Sequence, residues 1–148
     1  MYRLIYVSRS VTRFPPDIKA ILASSRKNNA EFGITGALCF LDGVWCQYLE
    51  GEKINVENLF KILQGDPRHQ SIKLIELCSI SHRLFTNWTM ALVTWNKQTR
   101  TLFKSLNPLG AGDSVDLYAL NTLNAAATFN LLAHSANWME LAPDAKPN

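Results

Sequence analysis

The chain has 148 residues, enough for one ordinary hydrophobic core and too few for two. Hydrophobic residues make up 47% and charged residues 18%, a globular composition that excludes a disordered chain. The formal charge of +3 comes from scattered Lys and Arg with no basic stripe, which argues against binding of nucleic acid or a membrane surface.

The opening run MYRLIYVS reads as a strand over residues 2–8 and lacks the charged-then-apolar build of a signal peptide. No apolar stretch approaches the roughly 18 residues of a membrane span, so a cytoplasmic protein is expected. Pro15, Pro16 and Asp17 open a helix over residues 17–29, with Ile18, Ile21 and Leu22 at helical spacing and Gly33 as its stop. A second strand, 34–41, meets a third, 44–50, through Asp42-Gly43, the strongest hairpin signal in the chain. Val56, Leu59, Phe60 and Leu63 make residues 55–64 an amphipathic helix, closed by Gly65-Asp66-Pro67. Residues 71–79 and 88–95 read as two further strands around a polar loop at His82-Arg83. Cys39, Cys46 and Cys78, an odd count without CxxC spacing, read as reduced thiols and not as disulfides or metal ligands.

The order βαββαββ predicts a ferredoxin-like α+β sandwich: a five-stranded mixed sheet with two helices on one face. Right-handed crossovers put the first and third strands side by side in its middle. Beyond Asn96, residues 99–106 read as a short helix and 107–112 as a linker. Asp113 is placed to cap a longer helix with Leu117, Leu120, Leu123, Ala127 and Leu131 on one face. The expected organisation is a domain over residues 1–97, a C-terminal helical appendage over 98–142 and a frayed tail over 143–148.

Several polar groups fall where periodicity puts the core. Trp45, Gln47 and Leu49 share one face of the third strand, so an amide that must satisfy two donors and an acceptor sits between hydrophobes. Leu4 and Tyr6 share a face of the first strand. If the two strands are neighbours, phenol and amide meet, either as an ordinary core hydrogen bond or as part of a site. Asn28 and Asn29 end the first helix, as C-caps or as amides facing a heterocycle. Arg68 and His69 follow Asp66, as a solvated turn or as phosphate contacts. Trp88 and Met90 share a face of the last strand with Leu92, as core or as part of the same site. No Ser/His/Asp or Cys/His set stands out.

YRLIYVS, SSRKNN followed by GITG, the Gln47-Tyr48-Leu49-Glu50-Gly51 segment, GDPRH and NWTM occur in this order between residues 2 and 95. Together they resemble the BLUF family, sensors of blue light using FAD. The resemblance implies a photoreceptor and not an enzyme, holding noncovalent FAD, or FMN or riboflavin in its place. It assigns the photoactive tyrosine to Tyr6 and the switching glutamine to Gln47. Flavin excitation then draws an electron and a proton from Tyr6, and Gln47 rearranges at flavin O4 and N5. It further implies flavin contacts from Asn28 and Asn29, with Ile21 and Leu63 sandwiching the ring. Asp66, Arg68 and His69 fall in the loop beside the flavin, and Trp88 and Met90 on the strand that changes with signalling state. Trp45 stands where relatives often have Phe, and a tryptophan there competes with Tyr6 as an electron donor. The ~50 residues that remain are too few for an effector domain. The implied output is therefore a protein–protein contact, through a homo-oligomer or an unidentified downstream signalling protein. The competing readings are a ferredoxin-like regulatory or dimerisation module without flavin, and a small flavin oxidoreductase. The latter lacks a GxGxxG fingerprint.

Overall fold

The computed structural model describes residues 1–11, 17–86, 89–93, 95–107 and 114–134. Five strands form one mixed sheet: β1 (Tyr2–Ser10), β2 (Thr35–Leu41), β3 (Val44–Gly51), β4 (His69–Ser79) and β5 (Ala91–Leu92), in the order β4-β1-β3-β2-β5. β1 and β3 lie side by side in the middle, as the crossover argument requires, and β5 runs parallel to β2 at the edge. The β2–β3 hairpin turns at Asp42-Gly43, both at positive φ, the conformation that a two-residue turn of this hand demands.

Strand alternation divides the core in two. Leu4, Tyr6, Leu38, Trp45 and Leu49 face α1 (Ile18–Glu31) and α2 (Lys53–Gln64) on the front. Ile5, Val7, Cys39, Cys46 and Tyr48 face the back. The Asp17 side chain accepts from Ala20 N at the start of α1, and Gly33, with φ +63, ends it. Cys39 and Cys46, buried, and Cys78, half-buried, form no disulfide.

The back is covered by α3 (Lys97–Leu106), a 3-10 turn (Leu117–Ala119) and α4 (Ala125–Ala133). The short helix expected over 99–106 is α3, but the longer helix expected after it is replaced by the 3-10 turn and α4. Leu120 is extended, and Asn121 and Asn124 then bond nearby backbone amides through their side-chain oxygens, which breaks the helix. The face turned inward is Ala125, Thr128, Phe129 and Leu132, whereas Leu123 is 93% exposed. Asp113 and residues 143–148 lie outside the described residues.

The last strand is also shorter than expected. The carbonyls of Thr89 and Met90 are taken by side chains of α1, so pairing with β2 begins only at Ala91.

Close strand approach at one glycine sets a sharp test. A Cβ on Gly36 would stand 2.0 Å from the Tyr48 carbonyl oxygen across the β2–β3 ladder. Gly36→Ala is expected to cost about 2 kcal/mol or more in a denaturant titration, because backbone and not a flexible side chain must move. A variant as stable as wild type contradicts that packing.

Candidate functional site

Tyr6 and Gln47 are direct cross-strand partners on the front face of β1 and β3. Their side chains therefore rise together, and Tyr6 Oη donates to Gln47 Oε1 at 2.5 Å. Tyr6 is 1% exposed, and burial raises its pKa far above the usual 10.0, so the phenol holds its proton at neutral pH. The other end of the amide, Gln47 Nε2, points at Met90 Sδ at 3.7 Å, a weak acceptor.

Above this pair lies a narrow cleft of about 40 Å³. Tyr6, Gln47 and Trp45 form its floor, Ile21 and Leu63 come from the two helices, and Arg68 and His69 stand beyond α2. Sequence reasoning missed Ser25 and Leu38, which also line it. Ser25 is one helical turn after Ile21 and Leu38 opposes Gln47, so spacing and register carry the signal.

The remaining residues are arranged around the cleft. Asn29 is buried and donates through Nδ2 to Thr89 O at 2.8 Å, whereas Asn28 is exposed and does not line the cleft. Arg26, another residue that sequence reasoning passed over, donates from Nε to Met90 O at 3.2 Å. It lies three residues before Asn29, on the same helix face. Asp66 pairs with Arg68 at 2.6 Å, and that hydrogen bond holds its carboxyl below the usual carboxylate range. Met90 is buried in the front core, and Trp88 lies outside the described residues.

Trp45 packs against Phe40 and His69, with ring centroids 4.4 and 5.7 Å away. Its indole Nε1 is buried and has no partner among the described residues. Aromatic and aliphatic walls, an underused amide donor on the floor and a cation at the rim suit a flat heterocycle with carbonyl acceptors and an anionic tail. The residues present fit a flavin.

His69 bonds Ser8 Oγ through Nδ1 at 2.6 Å and touches the Tyr6 ring. Burial, helped by Arg68 and opposed by Asp66, lowers its pKa from the usual 6.5. A base with a depressed folded pKa stabilises the fold above its unfolded pKa, and that contribution is lost as pH falls through the folded value. The thermal midpoint is expected to drop as pH falls below 6.5, and His69→Gln should flatten this limb. An unchanged slope in the variant would assign the effect to another group.

Residues 1–91 match the family described as BLUF, sensors of blue-light using FAD. Photoactivated adenylate cyclase subunit beta of Euglena longa is 33% identical over 95 residues, covering 62% of this chain and 11% of that protein. Among solved structures, the photo-activated state of BlsA superposes with a TM-score of 0.81 at 31% identity, covering 92% of this chain and 96% of the other. Its ground state gives 0.80 at 32% identity, covering 92% and 89%. Klebsiella pneumoniae BlrP1, solved with FMN and cyclic diGMP, gives 0.59 at 32% identity, covering 62% and 25%. The match spans the whole front of the molecule, from β1 through both helices to Met90 and the start of β5, and the chain belongs to the BLUF family of blue-light sensors using FAD.

Proposed function

We propose that this chain senses blue light through a flavin held noncovalently in the cleft, and that its output is a changed protein–protein contact. The observation that carries this reading is the Tyr6–Gln47 hydrogen bond on the cleft floor, with the far end of the amide reaching only a sulfur among the described residues. When bound and excited, a flavin supplies a one-electron acceptor that later gives the electron back. Tyr6 is suited to donate because a phenol releases an electron and then a proton, and its proton already points at Gln47 Oε1. Gln47 relays that proton and turns or tautomerises, exchanging donor for acceptor at each end of its amide. The proton and electron return to Tyr6; after rotation of the amide only hydrogen bonds differ, and after tautomerisation one amide proton has also moved from Nε2 to Oε1. Each such bond is worth about 1 kcal/mol net, which lets the altered state persist and yet decay thermally.

Ile21 and Leu63, from the two helices, would sandwich the ring, and Asn29, tied to the Thr89 carbonyl, would face its carbonyl edge. Asp66, Arg68 and His69 would supply the outer contacts to the ribityl and phosphate groups. FAD is the first choice of cofactor. FMN, present in the BlrP1 complex, and riboflavin share the ring that this cleft engages. Trp45 offers a second electron donor, and Trp88 with Met90 carries the change onward. We assign residues 1–97 to light reception, 98–142 to output and 143–148 to a tail. The contact that changes is with a second copy or with a downstream signalling protein, in the cytoplasm, and no reaction is catalysed by this chain.

Purified protein should be yellow and show a small reversible red shift under blue light. Tyr6→Phe and Gln47→Leu should each retain flavin and lose that shift. A normal photocycle in Gln47→Leu would refute the mechanism.

A further inference from the structure

Glu50 is fully buried at the end of β3, three residues beyond Gln47. Its carboxylate is held by the backbone N–H groups of Leu84 (2.9 Å) and Phe85 (2.6 Å) and by Thr35 Oγ1 (3.0 Å). Arg83 closes the same knot from the other side. Its guanidinium donates to Thr35 Oγ1, to the Glu50 carbonyl and to the Gly33 carbonyl, at 2.8, 3.0 and 2.7 Å. Residues 83–85 are thereby tied to β3, to the start of β2 and to the turn that ends α1. On their far side Arg83 and Leu84 face α4 across a cavity of about 420 Å³. Their packing on that side is incomplete, although Leu84 and Phe85 reach the back core.

The stretch that begins at this knot ends at the cleft. Thr89 and Met90 are held there by Asn29 and Arg26, and Met90 Sδ takes the Gln47 amide. Charge-assisted bonds hold the first end through the Glu50 carboxylate and the second through Arg26 at the Met90 carbonyl, whereas the contact that reads Gln47, amide to sulfur at 3.7 Å, is among the weakest in the site. β5 pairs with β2 at Ala91 and Leu92, and the Val93 N–H adds one bond to the Leu38 carbonyl.

We propose that Glu50 and Arg83 are positioning residues for the light response: they fix residues 83–85 as a pivot, so that rearrangement of Gln47 moves Thr89–Val93 and is not dissipated in the connection from β4. The pivot's part in signalling rests on the light-driven Gln47 step above, whereas the clasp itself does not. From Val93 the chain passes to α3, which starts at Lys97 behind a capping box of Asn96 and Thr99. A stiff pivot on one side and a capped helix on the other leave the short edge strand as the element that moves.

The test uses the full chain loaded with flavin, comparing wild type with Arg83→Ala and Glu50→Gln. Amide exchange is followed in the dark and under blue light, alongside the red shift. In the dark, exchange at residues 83–86 should rise by on the order of tenfold in either variant, as expected for losing one or two charge-assisted bonds. The red shift should survive, because Tyr6 and Gln47 are untouched, while the light–dark difference at residues 89–93 is lost. Arg83→Lys should restore part of it. Arg83→Ala removes the cation beside Glu50 but leaves its carboxylate on the Thr35, Leu84 and Phe85 donors, and carries the test where Glu50→Gln does not fold. Unchanged dark exchange at 83–86 overturns the clasp. A wild-type light–dark difference at 89–93, or loss of the red shift together with it, overturns the pivot. A wild type without any red shift overturns the reading of Tyr6 and Gln47, while the dark exchange still decides the clasp.

Discussion

The hydrogen bond from Tyr6 to Gln47 is the constraint on which the rest of the architecture depends. A phenol and a primary amide are both costly to bury, and each satisfies the other only if its strands are adjacent, antiparallel and in one register. β1 and β3 meet that requirement in the centre of the sheet, where neighbours on both sides keep them from sliding. A slip of one residue would turn Tyr6 to the back and bring Val7 or Ile5 to the cleft. The register that builds the core is thus the register that builds the site.

Around this pair the sheet keeps two faces with different tasks. The front is bounded by α1 and α2, with a cleft between them. The back is closed by α3, the 3-10 turn and α4, whose Phe129 meets Tyr48 with ring centroids 5.3 Å apart. Tyr48 and Gln47 are neighbours on β3 that point to opposite faces, so events at the amide and packing beneath the C-terminal helices share one strand. The stretch from Arg83 to Val93 offers a second route between the faces. It is bound at one end through the Glu50 carboxylate and at the other by Arg26 and Asn29, while its contact with Gln47 is a weak amide–sulfur one.

Much of this was legible in residues alone. Alternation placed Tyr6 and Gln47 on core faces, and two polar groups in such positions call for each other whatever the fold. Asp42-Gly43 announced its hairpin because few residue pairs tolerate positive φ twice in succession. The reading weakened where side chains of one element decide the backbone of another. The carbonyls of Thr89 and Met90 are claimed by Asn29 and Arg26, sixty or more residues earlier, and no local pattern warns that a strand will be cut to two residues. The helix expected after Asp113 failed for a more local reason, since Asn121 and Asn124 compete with helical hydrogen bonds and the apolar spacing ran through them unbroken. Asn28 and Asn29 looked alike as a pair, yet a helix turns about 100° between neighbours, and only Asn29 faces inward.

By itself the sequence determined the order of elements, the two faces of each strand and the pairing of a phenol with an amide. These follow from period, turn chemistry and the need to satisfy buried polar groups, all of which act over a few residues. Only the tertiary structure decided that Glu50 and Arg83 knot three separate segments together, that the C-terminal helices form the second layer of the core, and that the last strand is barely a strand. Those features come from contacts between residues tens of positions apart, where no periodicity connects the partners and the chain must close in space before the bond exists.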